Sequence, residues 1–492
     1  MKEFIAVDLG ASNGRTILGH FDGRSIKLEE INRFENSYVR VGDAYYWNVL
    51  SLYSNIIEGL SRYAKGNGTL SGIGIDTWGV DFGFIDRQGR IVGNPRSYRD
   101  PRGRRGMEAF HKKHGDRKLF ELTGISSAEY NTIYQLYDMA QTGDPQFAAA
   151  DKMLMMPDLL GYMLCGQVST EYTEATTTQM LDRTGNWSPQ ILSMAGIPET
   201  MMSPLQMSGT EKGRLHEFIR QDTGLAGTPV VYNIGSHDTA SAVASVPAAL
   251  DNYAFISSGT WSLVGAVSRD AIVSDEVYNG GLSNEGTVDG GYRLLKNIMG
   301  MWIIQNCKKL WDREHKTSWD DIMGLAEKAA PFRSFIDVNA HVFFDGNDMV
   351  RKIQGFCADT GQPVPESKGE IARTIYESLA MSYRETVSLL ERLKGQSIET
   401  LHIVGGGSKD SMLNQMSASA IGREVIAGPS EATSIGNLMM QVMASGEVKG
   451  FGEMREVIRG SFSVKSYEPK DTEEWTEQFE RYVRIKEKYG SV

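Results

Sequence analysis

Two short turns in this chain could set backbone N–H groups against anionic oxygens. The first is DLGASNGR, Asp8 to Arg15, behind the apolar run Phe4–Val7. The second is SSGTWS, Ser257 to Ser262, between the β-type runs 253–256 and 263–266. Glycine permits a tight turn and close backbone approach, and successive amides then form a concavity suited to phosphate. One such turn in each half points to a duplicated fold that grips a nucleotide's phosphates from both sides. Asp8, at a strand end, could hold Mg2+ through water, since magnesium keeps several waters and takes few carboxylates beside phosphate oxygens. Its ordinary alternative is turn chemistry alone.

A third segment carries an acid. GSHDTASAV, Gly235 to Val243, follows Pro229-Val230-Val231 and opens a helix of small residues. Asp238 at its start could accept a hydroxyl proton as that oxygen attacks a γ-phosphoryl group; an N-cap is the common alternative. A helix N-terminus lowers a carboxylate pKa, so the position predicts a depressed value. Gly405-Gly406-Gly407 is a strand-to-helix turn whose bare backbone could take an adenosine face, although it is not G-x-G-x-x-G. Asn297 and Gln305 are eight residues apart in a stretch, 296–310, expected to be helical, which would put both on one side. Trp78 and Trp261 each sit beside glycine or threonine in a candidate active loop, as faces for sugar C–H surfaces or as simple packing. No G-x-x-x-x-G-K-[ST] occurs, which removes a P-loop kinase, and no paired Cys and His ligands suggest zinc.

The elements that must position these residues follow an α/β rhythm. Three strands are expected at Phe4–Val7, Arg15–Phe21 and Ile26–Phe34, with Asp22-Gly23 as a hairpin turn. A helix from about Trp47 to Tyr63 follows, with Leu50, Tyr53, Ile57 and Leu60 on its apolar side. Ile73-Gly74-Ile75 then delivers the loop Asp76–Asp81. Three strands before the first helix make a mixed sheet, not an alternating Rossmann unit. The second half repeats the rhythm around Gly259, with a long helix from about Ile371 to Lys394 that stops at Gly395 and a strand at Leu401–Val404. A boundary falls near 245, and the Lys/Glu-rich tail from about Asp471 is expected to be a peripheral helix.

A chain of 492 residues exceeds one hydrophobic core. The net charge of −11 and the lack of a basic stripe argue against nucleic-acid or anionic-membrane partners. Arg102, Arg104 and Arg105 form the one tight basic cluster and read as a solvated loop. Cys165, Cys307 and Cys357 are too few and too scattered for a disulfide framework, which fits a reducing compartment. No run reaches the ~20 apolar residues that span a bilayer, and the N-terminal residues lack a leader pattern. A cytoplasmic location is expected.

Read together, DLGASNGR, DTWGVDFG, PDLLGYMLCG, TEYTEATTTQMLDRTGNW, GSHDTASAV, SSGTWSLVG, RLLKNIMGMW, VGGGSKDSMLNQMSA and EATSIGN resemble the FGGY family of carbohydrate kinases, in the actin-like ATPase superfamily. The resemblance covers roughly residues 4–445. It implies an α/β fold of two ribonuclease H-like domains with a nucleotide and sugar cleft between them. The expected division is an N-terminal sugar-binding domain, 1–245, a C-terminal nucleotide-binding domain, 246–450, and a helical extension, 451–492, packed on the fold. It further implies ATP and Mg2+ as cofactors, with Asp238 as catalytic base and Asp8 near the metal through water. Ala11, Ser12, Asn13, Gly14, Arg15, Thr260, Gln305 and Gly406 resemble the family's ATP contacts. Gly79, His237, Thr239 and Asn297 resemble its ketose contacts. Asn13 departs slightly, standing where many members have serine, and either can supply a backbone N–H. Three of the loops, DTWGVDFG, SHDTASAV and RLLKNIMGMWIIQ, resemble members acting on the C1 hydroxyl of L-rhamnulose; the arginine–glutamate pair of glycerol-specific members is missing. L-Fuculose or a pentulose is the alternative substrate, and a non-catalytic actin-like nucleotide-binding protein the alternative class. A small-molecule ketose is the expected partner, with monomer and homodimer both open.

Overall fold

The computed structural model describes residues 1–66, 68–249 and 252–490. The last two residues of the 451–492 segment therefore lie outside the described residues. The chain divides into two units, each discontinuous in sequence. The first comprises 1–247, 267–294 and 432–462, and the second 248–266, 295–431 and 463–492.

The first unit is built on a six-stranded mixed sheet. In spatial order its strands are Thr210–Arg214, Val230–Asn233, Leu70–Thr77, Lys2–Leu9, Asn13–Phe21 and Ile26–Glu35. Lys2–Leu9 is central, antiparallel to Asn13–Phe21 and parallel to Leu70–Thr77. Its run of buried residues reflects cover on both faces. With a side-chain period of two, Ile5, Val7 and Leu9 pack with Leu52, Ile56 and Leu60 of the helix Val49–Ala64. Phe4 and Ala6 share a cluster with Ile435, Leu438 and Met439 of the helix Ala432–Ala444. The helix Val49–Ala64 turns a slightly different face inward than the sequence predicts. Val49, Leu52, Ile56 and Leu60 are buried, while Leu50 is 57% exposed.

The second unit repeats the same strand plan. Lys465–Tyr467, Glu424–Ala427, Thr400–Val404, Tyr253–Ser258 and Ser262–Ser268 lie side by side in that order. Tyr253–Ser258 is antiparallel to Ser262–Ser268 and parallel to Thr400–Val404, as Lys2–Leu9 is to its own neighbours. Each unit thus places a glycine turn after the first strand of its hairpin, at the end where the adjacent parallel strand also finishes. The helix Lys368–Lys394 begins in a Ser367/Glu370 capping box and ends at Gly395 in the left-handed conformation (φ 66°).

Three expectations are corrected here. The stretch 296–310 is not one helix: Tyr292–Ile298 is a strand and the helix is Trp302–Trp311. Arg102 is no solvated loop residue; it opens the helix Arg102–His114, is 1% exposed and donates to Gln135 Oε1 at 2.6 Å. The segment 451–492 is not one extension, because the helix Phe451–Ser461 belongs to the first unit and both Lys465–Tyr467 and the helix Thr472–Gly490 to the second. Among the described residues no helix is long and apolar enough to cross a membrane, and Cys165, Cys307 and Cys357 are free and buried.

Candidate active site

In the first unit, Leu9 pairs with Gly14, so Gly10-Ala11-Ser12-Asn13 forms the hairpin loop, closed by Gly10 N–H donating to the Asn13 carbonyl at 2.8 Å. Asn36 clasps it: its side-chain amide donates to the Gly10 carbonyl at 2.8 Å and its N–H to Ser12 at 3.1 Å. Ser12 and Asn13 remain exposed, so the loop's outer surface is open. A Cβ on Gly14 would lie 2.4 Å from the Phe34 ring, so any side chain there would have to displace that ring.

Two carboxylates stand side by side behind this loop, because Asp8 and Asp76 are register partners on neighbouring parallel strands. Arg15 Nη2 at 2.5 Å and Ser434 Oγ at 2.7 Å both donate to Asp8 Oδ2. Asp76 is fully buried; Asn437 donates to its Oδ2 at 2.6 Å, whereas Oδ1 has no hydrogen-bond partner. Burial first, then the neighbouring Asp8 charge, hold the Asp76 carboxyl well above the usual carboxylate range. An orphaned buried oxygen beside a second carboxylate fits a hydrated divalent cation, and among the described residues no group of three or more Asp, Glu, His and Cys forms a full cage. Magnesium needs none when phosphate oxygens complete its shell.

Asp238 is the first residue of the helix Asp238–Ala244, and His237 is its N-cap. The preceding loop is fixed from two sides. Thr77 N–H donates to the Ser236 carbonyl at 2.9 Å, and the fully buried Glu171 accepts from Ser236 N–H at 3.1 Å. Thr239 Oγ1 donates to Asp238 Oδ1 at 3.0 Å, and His237 Nε2 lies 3.5 Å from the same oxygen. The Asp238 side chain keeps 33% of its surface open. Its pKa is raised, chiefly by burial, with His237 opposing and Asp8 adding. The expectation of a depressed value is thereby corrected: desolvation outweighs the effect of the helix end at this carboxylate.

Gly79 lies beside this group, since a Cβ there would stand 3.3 Å from His237 Nε2 and 3.1 Å from Thr177. The next residue, Val80, has φ of 70°, a strained value for a β-branched residue. Its N–H donates to Thr177 Oγ1 at 3.0 Å and its carbonyl accepts from Thr132 Oγ1 at 2.7 Å, which hold the conformation. Asp81 anchors the loop below by accepting from the Trp47 and Trp78 indoles at 2.6 and 2.9 Å; burial pushes its pKa up to about 6. Trp78 is accordingly a buried support. Glu174 is fully buried with neither carboxyl oxygen hydrogen-bonded, and burial raises its pKa well above the ordinary range.

The second unit gathers Thr260, Gln305 and Gly406. Its hairpin loop is Gly259-Thr260-Trp261, all exposed, with Gly259 N–H donating to the Trp261 carbonyl at 2.8 Å. Trp302 N–H, at the start of the helix carrying Gln305, donates to the Thr260 carbonyl at 3.0 Å. Gly405 (φ 85°) and Gly407 press against Ser258, where a Cβ would come within 2.9 and 2.0 Å. Gly406 has open space beside it, leaving its backbone available to a flat ligand face. Asn297 stands apart from Gln305: it is exposed on the strand Tyr292–Ile298, so the shared helical side is corrected.

Sequence reasoning missed several partners. Ser434, Asn437 and Gln441 lie on one side of the helix Ala432–Ala444 and bond Asp8, Asp76 and the Ile5 carbonyl. The i, i+3, i+7 spacing of polar residues in an otherwise apolar helix was a readable signal. Asn36, Glu285 and Arg293 carried none: Asn36 meets Gly10 across 26 residues and Arg293 meets His237 across 56.

Comparison with known proteins supplies the family. Residues 4–245 match the FGGY family of carbohydrate kinases, N-terminal domain, and residues 254–445 its C-terminal domain. The chain is 43% identical to a rhamnulokinase of Bacteroides thetaiotaomicron, over 96% of this chain and 97% of that one. It is 36% identical to one of Bacillus subtilis, over 96% of each. Among solved structures, a ligand-bound xylulose kinase of Lactobacillus acidophilus superposes with TM-score 0.83 at 14% identity, covering 99% of this chain and 98% of that one. The glycerol kinase of Plasmodium falciparum with ADP gives 0.80 at 15% identity, covering 98% of each. Such identities speak to the fold alone. With both of the family's domains matched in order along nearly the whole chain, the chain belongs to the FGGY family of carbohydrate kinases.

Proposed function

We propose that this chain transfers the γ-phosphoryl group of ATP to the C1 hydroxyl of L-rhamnulose, giving L-rhamnulose 1-phosphate and ADP. The observation that carries the reading is Asp238, a partly open carboxylate of raised pKa, flanked by Thr239 and His237. The choice of sugar is supported by relatives named rhamnulokinase that are 35–43% identical. The fold cannot make that choice, since its neighbours include xylulose, gluconate and glycerol kinases.

Asp238 accepts the hydroxyl proton as the oxygen moves toward phosphorus, and Thr239 holds the carboxylate's orientation. Phosphoryl transfer is loose, so orienting the hydroxyl matters more than strong basicity. Gly79, His237, Thr239 and Asn297 are the proposed ketose contacts. The backbone of Ala11, Ser12, Asn13 and Gly14, with Arg15, and in the second unit Thr260, Gln305 and Gly406, are the proposed ATP contacts. Asp8 is the proposed magnesium-associated carboxylate, acting through water. Bound Mg2+ supplies charge neutralisation at the phosphate oxygens. Residues 1–245 are the proposed sugar-binding domain and residues 246–450 the proposed nucleotide-binding domain, and the proposed location is cytoplasmic.

The test is to incubate the protein with L-rhamnulose, ATP and Mg2+ and to follow products by 31P NMR. A sugar phosphomonoester on C1, formed in step with ADP, is the expected result; ADP release that ignores the sugar contradicts it.

A further inference from the structure

His237 caps the helix Asp238–Ala244 by position, but its side chain makes no cap bond, so other groups hold the ring. Nδ1 lies 3.2 Å from Arg293 Nη2 and 3.3 Å from Glu285 Oε2, and Nε2 lies 3.5 Å from Asp238 Oδ1. Arg293 is fully buried. Its Nε donates to the Gly286 carbonyl at 2.9 Å and its Nη2 to Glu285 Oε2 at 3.1 Å. The guanidinium is therefore locked in place, and it can only donate.

These contacts choose between the states of the imidazole. A proton on Nδ1 would face Glu285 Oε2 at 3.3 Å but would oppose N–H to N–H at the nearer Arg293 Nη2, at 3.2 Å, which has no acceptor to offer. In the neutral ring it would also turn the Nε2 lone pair toward the Asp238 carboxylate. A lone pair on Nδ1 instead accepts the second Nη2 proton and sends the ring proton out through Nε2, toward Asp238. Glu285 takes the other Nη2 proton and balances the guanidinium charge.

We propose that Arg293, anchored by Glu285, is a positioning residue that fixes His237 as the Nε2–H tautomer and so makes it a hydrogen-bond donor at the sugar hydroxyls beside Asp238. The donor's purpose rests on the sugar-kinase reading; the tautomer does not. A site that donates at this point selects a ketose with an acceptor oxygen there.

The tautomer is read directly by 15N NMR of histidine-labelled protein near pH 8, with His237 assigned through His237→Gln. Pyridine-type Nδ1 and pyrrole-type Nε2 resonances are expected; a pyrrole-type Nδ1 overturns the proposal. Arg293→Met should raise the ketose KM about tenfold or more, the scale of one lost hydrogen bond, with the ATP KM unchanged. Arg293→Lys, which keeps one charged donor, should recover part of the loss. A folded Arg293→Met enzyme whose ketose KM stays within about twofold of the parent also overturns it. If the parent turns over no ketose, the functional reading fails, while the 15N spectrum still decides the tautomer.

Discussion

Asp238 is the proposed proton acceptor, and its environment makes two measurable demands. Replacing it by asparagine keeps the shape and the Thr239 contact but removes the proton acceptor. Turnover should fall about 10²–10⁴-fold with an unchanged circular dichroism spectrum. Because burial raises its pKa above the ordinary 3.8, the acid limb of a kcat/KM profile should inflect above that value. Activity is present while Asp238 is ionised and declines as pH falls through the raised pKa; a limb at or below 3.8 would contradict the burial argument. Glu174 bears on stability. Its folded pKa lies well above 4.5, so on raising the pH the unfolded chain releases this proton while the folded chain keeps it. Stability therefore falls with pH on account of this group. Denaturant titrations of Glu174→Gln between about pH 5 and 8 should show a flatter pH slope than the parent, whatever the offset between the two proteins.

At the level of elements, the helix Ala432–Ala444 supplies much of what holds the carboxylates. Its Gly436 lies so close to the helix Asp238–Ala244 that a Cβ would stand 1.8 Å from the Ser241 carbonyl oxygen. Gly436→Ala must push the two helices apart, at a cost of about 1–3 kcal/mol, and should lower activity further by moving Ser434 off Asp8. Chemical denaturation together with a kinase assay checks both effects. The elements also show where sequence was legible. The hairpins around Gly10 and Gly259, the strand Thr400–Val404 and the long helix ending at Gly395 declare themselves through local signals, glycine at turns and caps and apolar runs between them. Asn297 was misread because Leu294-Leu295 and Ile298-Met299 fit either a strand or a helix face, and only sheet pairing decides. The supports of the site were illegible for a different reason. Ser434 meets Asp8 across 426 residues, and Arg293 meets His237 across 56, separations no local pattern encodes.

At the scale of the whole molecule, the chain uses one strand plan twice and threads it discontinuously. Residues 432–462 complete the first unit after the second has been laid down, and 463–492 then return to the second. Native-state hydrogen exchange should therefore show amides of Ala432–Ala444 opening together with those of Lys2–Leu9, although more than 400 residues separate them. Opening in step with Thr400–Val404 would contradict the division. The account as a whole rests on a carboxylate-assisted phosphoryl transfer to one particular ketose. It is tested most directly by comparing kcat/KM for L-rhamnulose, L-fuculose, D-xylulose and glycerol, with ATP and Mg2+ saturating. The account predicts that L-rhamnulose exceeds every other acceptor by about 10-fold or more, about 1.4 kcal/mol of differential transition-state binding. Equal or greater efficiency with another acceptor would contradict it.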